Sequence, residues 1–583
     1  MLNRSARAMI ASVFVLAAAI AACAPSERNF LLASAGDRPS PRDTSGYVEG
    51  SSSIGNYLAG RHAQTQSDYA SAADYLSRAL QGDPKNRELT RRAHAAFLAS
   101  GRMKDARALA DKVLELDKGD TVANLDLIAG DIKRRDFASA ERRLAKMPRR
   151  GAASLIAPLL TAWVKAGEKD YQAAIAALAP LKSAAGLGMI YDLHEGFIHE
   201  LADNTESAAA SYLAAMVRNE RSLRAVEALG TLYERTGRSA EAKKLYERFA
   251  EEAPEVASID LMLARVAKRE KPQKLVPDAL AGAAEAFFNI SNSLVRENSA
   301  DMALVFGWLA VDLNPNLGQG LLLIAGIYET LNRYDDAIRV YGMVTANSPW
   351  RWNAQIREAL VNDAADRTDM AVALLRAMIA EQPTRAEAAT SLGDVLRGRK
   401  RFVEAADAYD TAMARSNPSE QRNWTLYYSR GIALERANLW QRAEADFLKA
   451  LELNPEQPHV LNYLGYSWVE HGVNLDRARK MLERAVELRP NDGYIVDSLG
   501  WVLFRTGDFK GAAERLEHAV ELRPQDATIN DHLGDAYWKV GRRAEARFQW
   551  SRALSLDPEP ELVDSIKTKI ARGLQGVAAK RGG

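Results

Sequence analysis

Three consecutive stretches, LGYSWVEHGVNLDRARKMLERAVELRP (464–490), LGWVLFRTGDFKGAAERLEHAVELRP (499–524) and LGDAYWKVGRRAEARFQWSRALSLDP (533–558), are variants of one pattern. Their closing prolines, Pro490, Pro524 and Pro558, stand 34 residues apart. Each unit carries Leu-Gly, a larger residue three further on, a turn glycine, an alanine, a bulky residue, a second alanine and then proline. In the last unit these are Leu533, Gly534, Tyr537, Gly541, Ala546, Trp550, Ala553 and Pro558. The pattern predicts two helices, here called A and B. Gly534 and Ala546 sit where they cross, because small side chains let two backbones approach while Tyr537 and Trp550 fill the adjoining space. Gly541 gives the turn a permissive backbone, and Pro558 stops helix B.

The pattern extends upstream. Leu229, Gly230, Tyr233, Gly237, Ala242, Tyr246, Phe249 and Pro254 match it in full, and Gly431, Leu434, Ala443, Phe447, Ala450 and Pro455 nearly so. Degraded copies reach back to Gly60, Ala72, Ala79 and Pro84. A 34-residue helix-turn-helix period resembles the tetratricopeptide repeat. The expected fold is all-α: a superhelical solenoid of about a dozen helical hairpins, since such units cannot bury their apolar faces alone. An N-terminal array is expected over residues 54–254 and a C-terminal array over 286–558. Between them the period slips, and 255–285, with KREKPQKLVPDALAGAAEA, reads as an irregular joint. Residues 559–583 read as a capping helix and tail.

The chain contains one cysteine in 583 residues, Cys23, within VLAAAIAACAPSERN (15–29). Arg4 and Arg7 precede an apolar run from Met9 to Ile20 that is short for a bilayer span, followed by small residues: a signal peptide over residues 1–22. The ending IAAC is similar to the bacterial lipobox, in which cleavage leaves the cysteine as a lipidated N-terminus. Cys23 is then an attachment point, and residues 23–53, rich in Ser, Pro, Gly and charge, a flexible tether. Three acyl chains at ~0.8 kcal/mol per buried methylene would make attachment effectively permanent. Ala24, where lipoproteins kept at the inner membrane often carry Asp, favours the outer membrane, with the protein facing the periplasm.

Lys plus Arg (77) nearly balance Asp plus Glu (76), so no global field draws the chain to nucleic acid. No phosphate-cradling loop, G-x-S-x-G elbow or cysteine nucleophile beyond the lipidated one is present. The one lure is LHEGFIHE, where His194 and His199 are five apart and so about 140° from each other around a helix, too far to grip one metal. No catalytic residue, metal or cofactor is expected.

Function is expected on the concave face that helix A lines in such solenoids. Counting positions within each repeat turns Tyr428, His459, Asn462, Tyr466, Tyr494, Asp497, Trp501, Phe504, Arg505, Asp531, Trp538 and Lys539 toward it. Tyr, Trp and Arg together have the composition of a protein-binding hot spot. The alternative for any one of them is packing between adjacent repeats.

With lipobox, tether and repeats in this order, the chain resembles the tetratricopeptide lipoproteins of proteobacteria, and in layout those that bind the carboxy-terminal processing protease. That resemblance implies an outer-membrane adaptor that holds a periplasmic protease and delivers substrates such as cell-wall hydrolases. A general scaffold for envelope assembly or polysaccharide export stays open beside it, and an enzyme is disfavoured.

Overall fold

The structure, a computed structural model, describes residues 52–184, 186–252 and 258–574. The signal peptide, Cys23 and nearly all of the tether lie outside the described residues. Every regular element within them is helical, running as A/B hairpins from Ser53–Thr65 with Tyr69–Gly82 to Ala527–Lys539 with Arg543–Ser555.

Three local devices recur along the hairpins. Helix starts are capped by short polar side chains: Asp68, Asn86, Asp120, Asp170 and Asp526 each accept a hydrogen bond from the amide three residues on. Helix A ends in a left-handed residue, and these fall on the repeat period: Ser67, Gly101, Arg135, Lys169, Asp203 and Gly237. The amide after each closes the helix onto the carbonyl five back, as from Asp68 to Ala63 at 2.8 Å and from Arg102 to Phe97 at 2.9 Å. The third device is the crossing. Gly60, Gly196, Gly230, Gly393, Gly431, Gly500 and Gly534 each face the side chain 16 positions on: Leu76, Tyr212, Tyr246, Tyr409, Phe447, Leu516 and Trp550.

The chain divides into two compact units, residues 1–371 and 372–583. In the first, helix Ser258–Ala267 has no B partner. Its place is taken by an extended stretch in which the Lys274 ammonium donates to the Glu200 carbonyl at 2.7 Å and Arg135 pairs with Asp278 at 2.8 Å. The stretch therefore runs back along the turns of earlier hairpins. Helix resumes at Ala279, inside the span expected to be irregular, and helices Ala279–Arg296 and Ala300–Leu313 pack on the A helices Arg87–Ala99, Thr121–Lys133, Ala152–Gly167 and Gly188–Leu201. The helix A face of these N-terminal repeats is thus covered by the chain's own hairpin.

The second unit continues the hairpins through Glu387–Gly398 with Phe402–Met413, Trp424–Arg436 with Trp440–Leu453, Pro458–His471 with Leu475–Leu488, and Gly493–Arg505 with Phe509–Leu522. Helix Pro560–Arg572 closes it, its Lys569 reaching Asp531 at 2.7 Å and Asp535 at 2.9 Å.

The crossings predict opposite effects for two Gly→Ala changes. A Cβ at Gly230 would stand 2.3 Å from the Tyr246 ring, so Gly230→Ala should cost about 1–3 kcal/mol. Gly326, in helix Gly318–Thr330, has nothing within 4 Å of that position, so Gly326→Ala should stabilise by about 0.5–1 kcal/mol. Urea unfolding followed by circular dichroism measures both.

Candidate partner-binding face

The expected face residues of the second unit separate into three groups. Tyr466, Asp497, Trp501, Phe504 and Arg505 come together. Trp501 lies parallel to Phe504 at 5.0 Å and flat on His532 at 4.1 Å, and its indole N–H donates to Glu470 at 2.6 Å. Arg505 approaches the same carboxylate at 3.5 Å. Trp501 and Tyr466 remain half-buried, Arg505 is exposed, and Phe504 and Asp497 are buried. Burial first, then the Glu470 and Asp497 carboxylates, pushes the Tyr466 hydroxyl pKa well above its ordinary value against the opposing pull of Arg505.

A second group packs within the array. Tyr428 sits 6.0 Å from Tyr463 and 6.2 Å from Phe447, and the Arg523 guanidinium lies 5.0 Å over the Tyr494 ring. His459 and Asn462 are half-buried on helix Pro458–His471. The Asn462 side-chain oxygen is buried without a hydrogen-bond partner.

The third group belongs to the closing helix. Asp531 is buried against Lys569, and Trp538 packs on Gly573 beneath the Arg543 and Arg547 guanidiniums at 5.2 and 5.3 Å. Lys539 is exposed, its ammonium 5.5 Å over the Phe509 ring.

Sequence reasoning passed over His532. It is buried, and its ring nitrogen meets the Asp497 carboxylate at 2.9 Å. Burial pulls its pKa down, but the carboxylates of Asp497, Asp531 and Asp535 outweigh burial and raise it. Its only signal in the sequence is register, one position before Leu533.

The His194 lure resolves as packing. His194 is buried, Trp163 donates its indole N–H to Nδ1 at 2.8 Å, and the Asn289 amide lies 3.2 Å from Nε2. Since Nδ1 accepts, the ring proton belongs on Nε2, which requires the oxygen of Asn289 on that side. Burial, and then Arg224, drops the His194 pKa to about 3. His199 lies half-buried further round the same helix. Among the described residues no group of three or more His, Cys, Asp or Glu is placed to hold a metal, and no helix is long and apolar enough to cross a membrane.

Comparison with known proteins agrees with this architecture. One tetratricopeptide-repeat family profile matches residues 57–121, 356–420, 428–496 and 497–559, and a second matches 227–255. The TPR repeat-containing protein PA4667 of Pseudomonas aeruginosa is 32% identical over 82 residues, 14% of each chain. The human Protein O-mannosyl-transferase TMTC1 is 25% identical over 178 residues, 30% of this chain and 20% of that protein. The chain thus spans only a small part of the curated relatives it matches. Among solved structures, YrrB, described as a TPR protein with an unusual peptide-binding site, is 23% identical, covering 33% of this chain and 97% of that one at a TM-score of 0.27. Cut9–Hcn1 is 13% identical over 90% and 96% of the two chains at 0.37. The chain is a tetratricopeptide-repeat protein, built as protein-binding scaffolds are.

The two buried histidines predict opposite pH responses. His194 folds neutral with its pKa below the unfolded value of about 6.5, so its contribution is complete above that pH and is lost as pH falls toward 3. His532 folds with a raised pKa, so its contribution is complete below about pH 6.5 and is lost as pH rises through the folded value. Urea midpoints between pH 4 and 9 should show His194→Gln flattening the acid limb and His532→Gln the neutral-to-alkaline limb.

Proposed function

We propose that this protein is a lipid-anchored periplasmic adaptor that binds a protein partner on the helix A face of its second unit. The observation that carries the reading is the cluster of Tyr466, Trp501 and Arg505, partly exposed beside Glu470 on adjacent hairpins. Aromatic and arginine side chains set on a rigid scaffold are the groups through which interfaces gain most affinity. In the first unit the matching helix A face is spent on the chain's own helices, which gives it a structural part and leaves recognition to the second.

The anchor follows from the lipobox-like IAAC, and an acylated Cys23 would place the molecule on the outer membrane facing the periplasm. The partner class proposed from the resemblance is a carboxy-terminal processing protease together with cell-wall hydrolase substrates. Holding both on one scaffold raises their effective concentration with no new contact between them.

Two measurements test this. Cys23→Ser should move the protein from the membrane to the soluble envelope fraction; persistence on the membrane removes the anchor. Capture from membranes on the lipidated wild-type chain should recover a serine protease, and Trp501→Ala should lower its recovery about tenfold or more with helicity unchanged. Recovery of envelope-assembly or export components alone would make the protein a general scaffold instead.

A further inference from the structure

The two units carry the same four positions in four successive hairpins, and one of them shows what such a face accepts. Counted from the left-handed turn residues, Trp163 stands six before Lys169 as Trp501 stands six before Gly507. His194 stands nine before Asp203 as His532 stands nine before Gly541. Lys133 stands two before Arg135 as Glu470 stands two before Gly472, and Arg107 stands six after Gly101 as Glu444 stands six after Asn438.

In the first unit this constellation grips a helical hairpin. Trp163 is fully buried with its ring against Gly282, where a Cβ would come within 2.2 Å, and Asn289, two turns further along the same helix, meets His194. On the second helix of the hairpin, Asp312 is held by Arg107 at 2.9 Å and Lys133 at 2.6 Å. In the second unit the aromatic pair is kept, with Trp501 half-buried on His532, but both cations are replaced by carboxylates. Glu470 keeps 46% of its side chain exposed, and Glu444 accepts from the Trp468 indole at 2.6 Å.

We propose that the second unit receives a helical hairpin from a protein partner, seated as helices Ala279–Arg296 and Ala300–Leu313 are in the first, with a Gly or Ala against Trp501 and a Lys or Arg opposite Glu470 and Glu444. Charge selects the occupant. A hairpin carrying an acid at the place of Asp312 meets two carboxylates in the second unit, whereas one carrying a base meets two cations in the first. The inference rests on the reading that the second unit's face binds protein, and adds to it the conformation and charge of what is bound.

The test uses the full chain and two synthetic, fluorescently labelled peptides of residues 278–313, one native and one with Asp312→Lys, titrated by anisotropy. The Asp312→Lys peptide should bind at least tenfold more tightly than the native one. Trp501→Ala should weaken it at least tenfold, and Trp501→Phe, which keeps an aromatic ring on His532, should weaken it less. Glu470→Lys should reverse the preference toward the native peptide. Equal affinity for the two peptides, preference for the native one by the wild-type chain, indifference to Trp501→Ala, an unreversed preference in Glu470→Lys, or binding of neither peptide each overturns the inference. If partner capture still depends on Trp501 while the peptides show no charge preference, this inference falls and the adaptor reading stands. If capture and peptide binding are both indifferent to Trp501, both fall.

Discussion

The architecture depends on the contact between a residue with little or no side chain on helix A and a bulky one 16 positions later on helix B. Gly230 against Tyr246 shows how much follows from it. With the glycine bare, the Tyr246 ring lies across the crossing and its hydroxyl donates to Glu234 at 2.8 Å. Glu234, held on one side, takes Arg265 of the next A helix at 2.7 Å on the other. One hairpin earlier the same sequence of contacts runs from Gly196 to Tyr212, to Glu200 at 2.8 Å, and on to Arg235. The close approach within a hairpin thus sets the carboxylate that docks the following hairpin, so the angle between repeats is fixed by the same residue that fixes the angle within one. Such carboxylates are buried, and each is tolerated because it is shared between a tyrosine and an arginine.

The crossing was legible in the sequence because its residue types contrast: glycine on one side, and a bulky Leu, Tyr, Phe or Trp on the other. The turns were legible only where glycine marks them, at Gly101, Gly237, Gly472, Gly507 and Gly541. At Arg135 and Lys169 the same left-handed conformation is imposed on residues that disfavour it by roughly 1–2 kcal/mol each, through helix-closing bonds and tertiary packing that local composition does not record. The slip after residue 255 was visible as a broken period, but its outcome was not. That outcome is decided by contacts such as Trp163 with Gly282 and Arg107 with Asp312, between residues 119 and 205 positions apart. Within the candidate face, counting positions brought Tyr466, Trp501 and Arg505 together. It could not separate them from Asp531 and Trp538, because a capping helix folded onto those two leaves no mark in the repeat itself.

One register therefore serves two purposes in one chain. In the first unit the Trp–His pair is dry and the imidazole neutral, since no carboxylate reaches it and the Trp163 N–H already occupies Nδ1. In the second the equivalent imidazole lies beside Asp497 and holds its proton more strongly, while the equivalent tryptophan turns its N–H to Glu470 instead. Carboxylates at three positions, Asp497, Asp531 and Asp535, where the first unit has Leu159, Leu193 and Phe197, let the second imidazole hold its proton more strongly despite its burial. The indole there lies flat on the imidazole, whereas in the first unit the two rings stand at 66° to each other.

Burying charged groups beneath the self-bound hairpin is expensive, and the structure shows the cost. Arg224 pairs with Glu285, yet the Nε of the one and an Oε of the other are buried without partners, and burial raises the Glu285 pKa. An apolar contact of the same shape would hold at least as well. What the charges add is selection. A solenoid built of near-identical hairpins presents near-identical faces, and a hairpin excised from the series by the loss of one B helix has several places to settle. Asp312 finds two cations at one of them and would find two carboxylates at its counterpart in the second unit. Ion pairs that contribute little to stability thus decide which face the chain keeps for itself and which it leaves for another molecule.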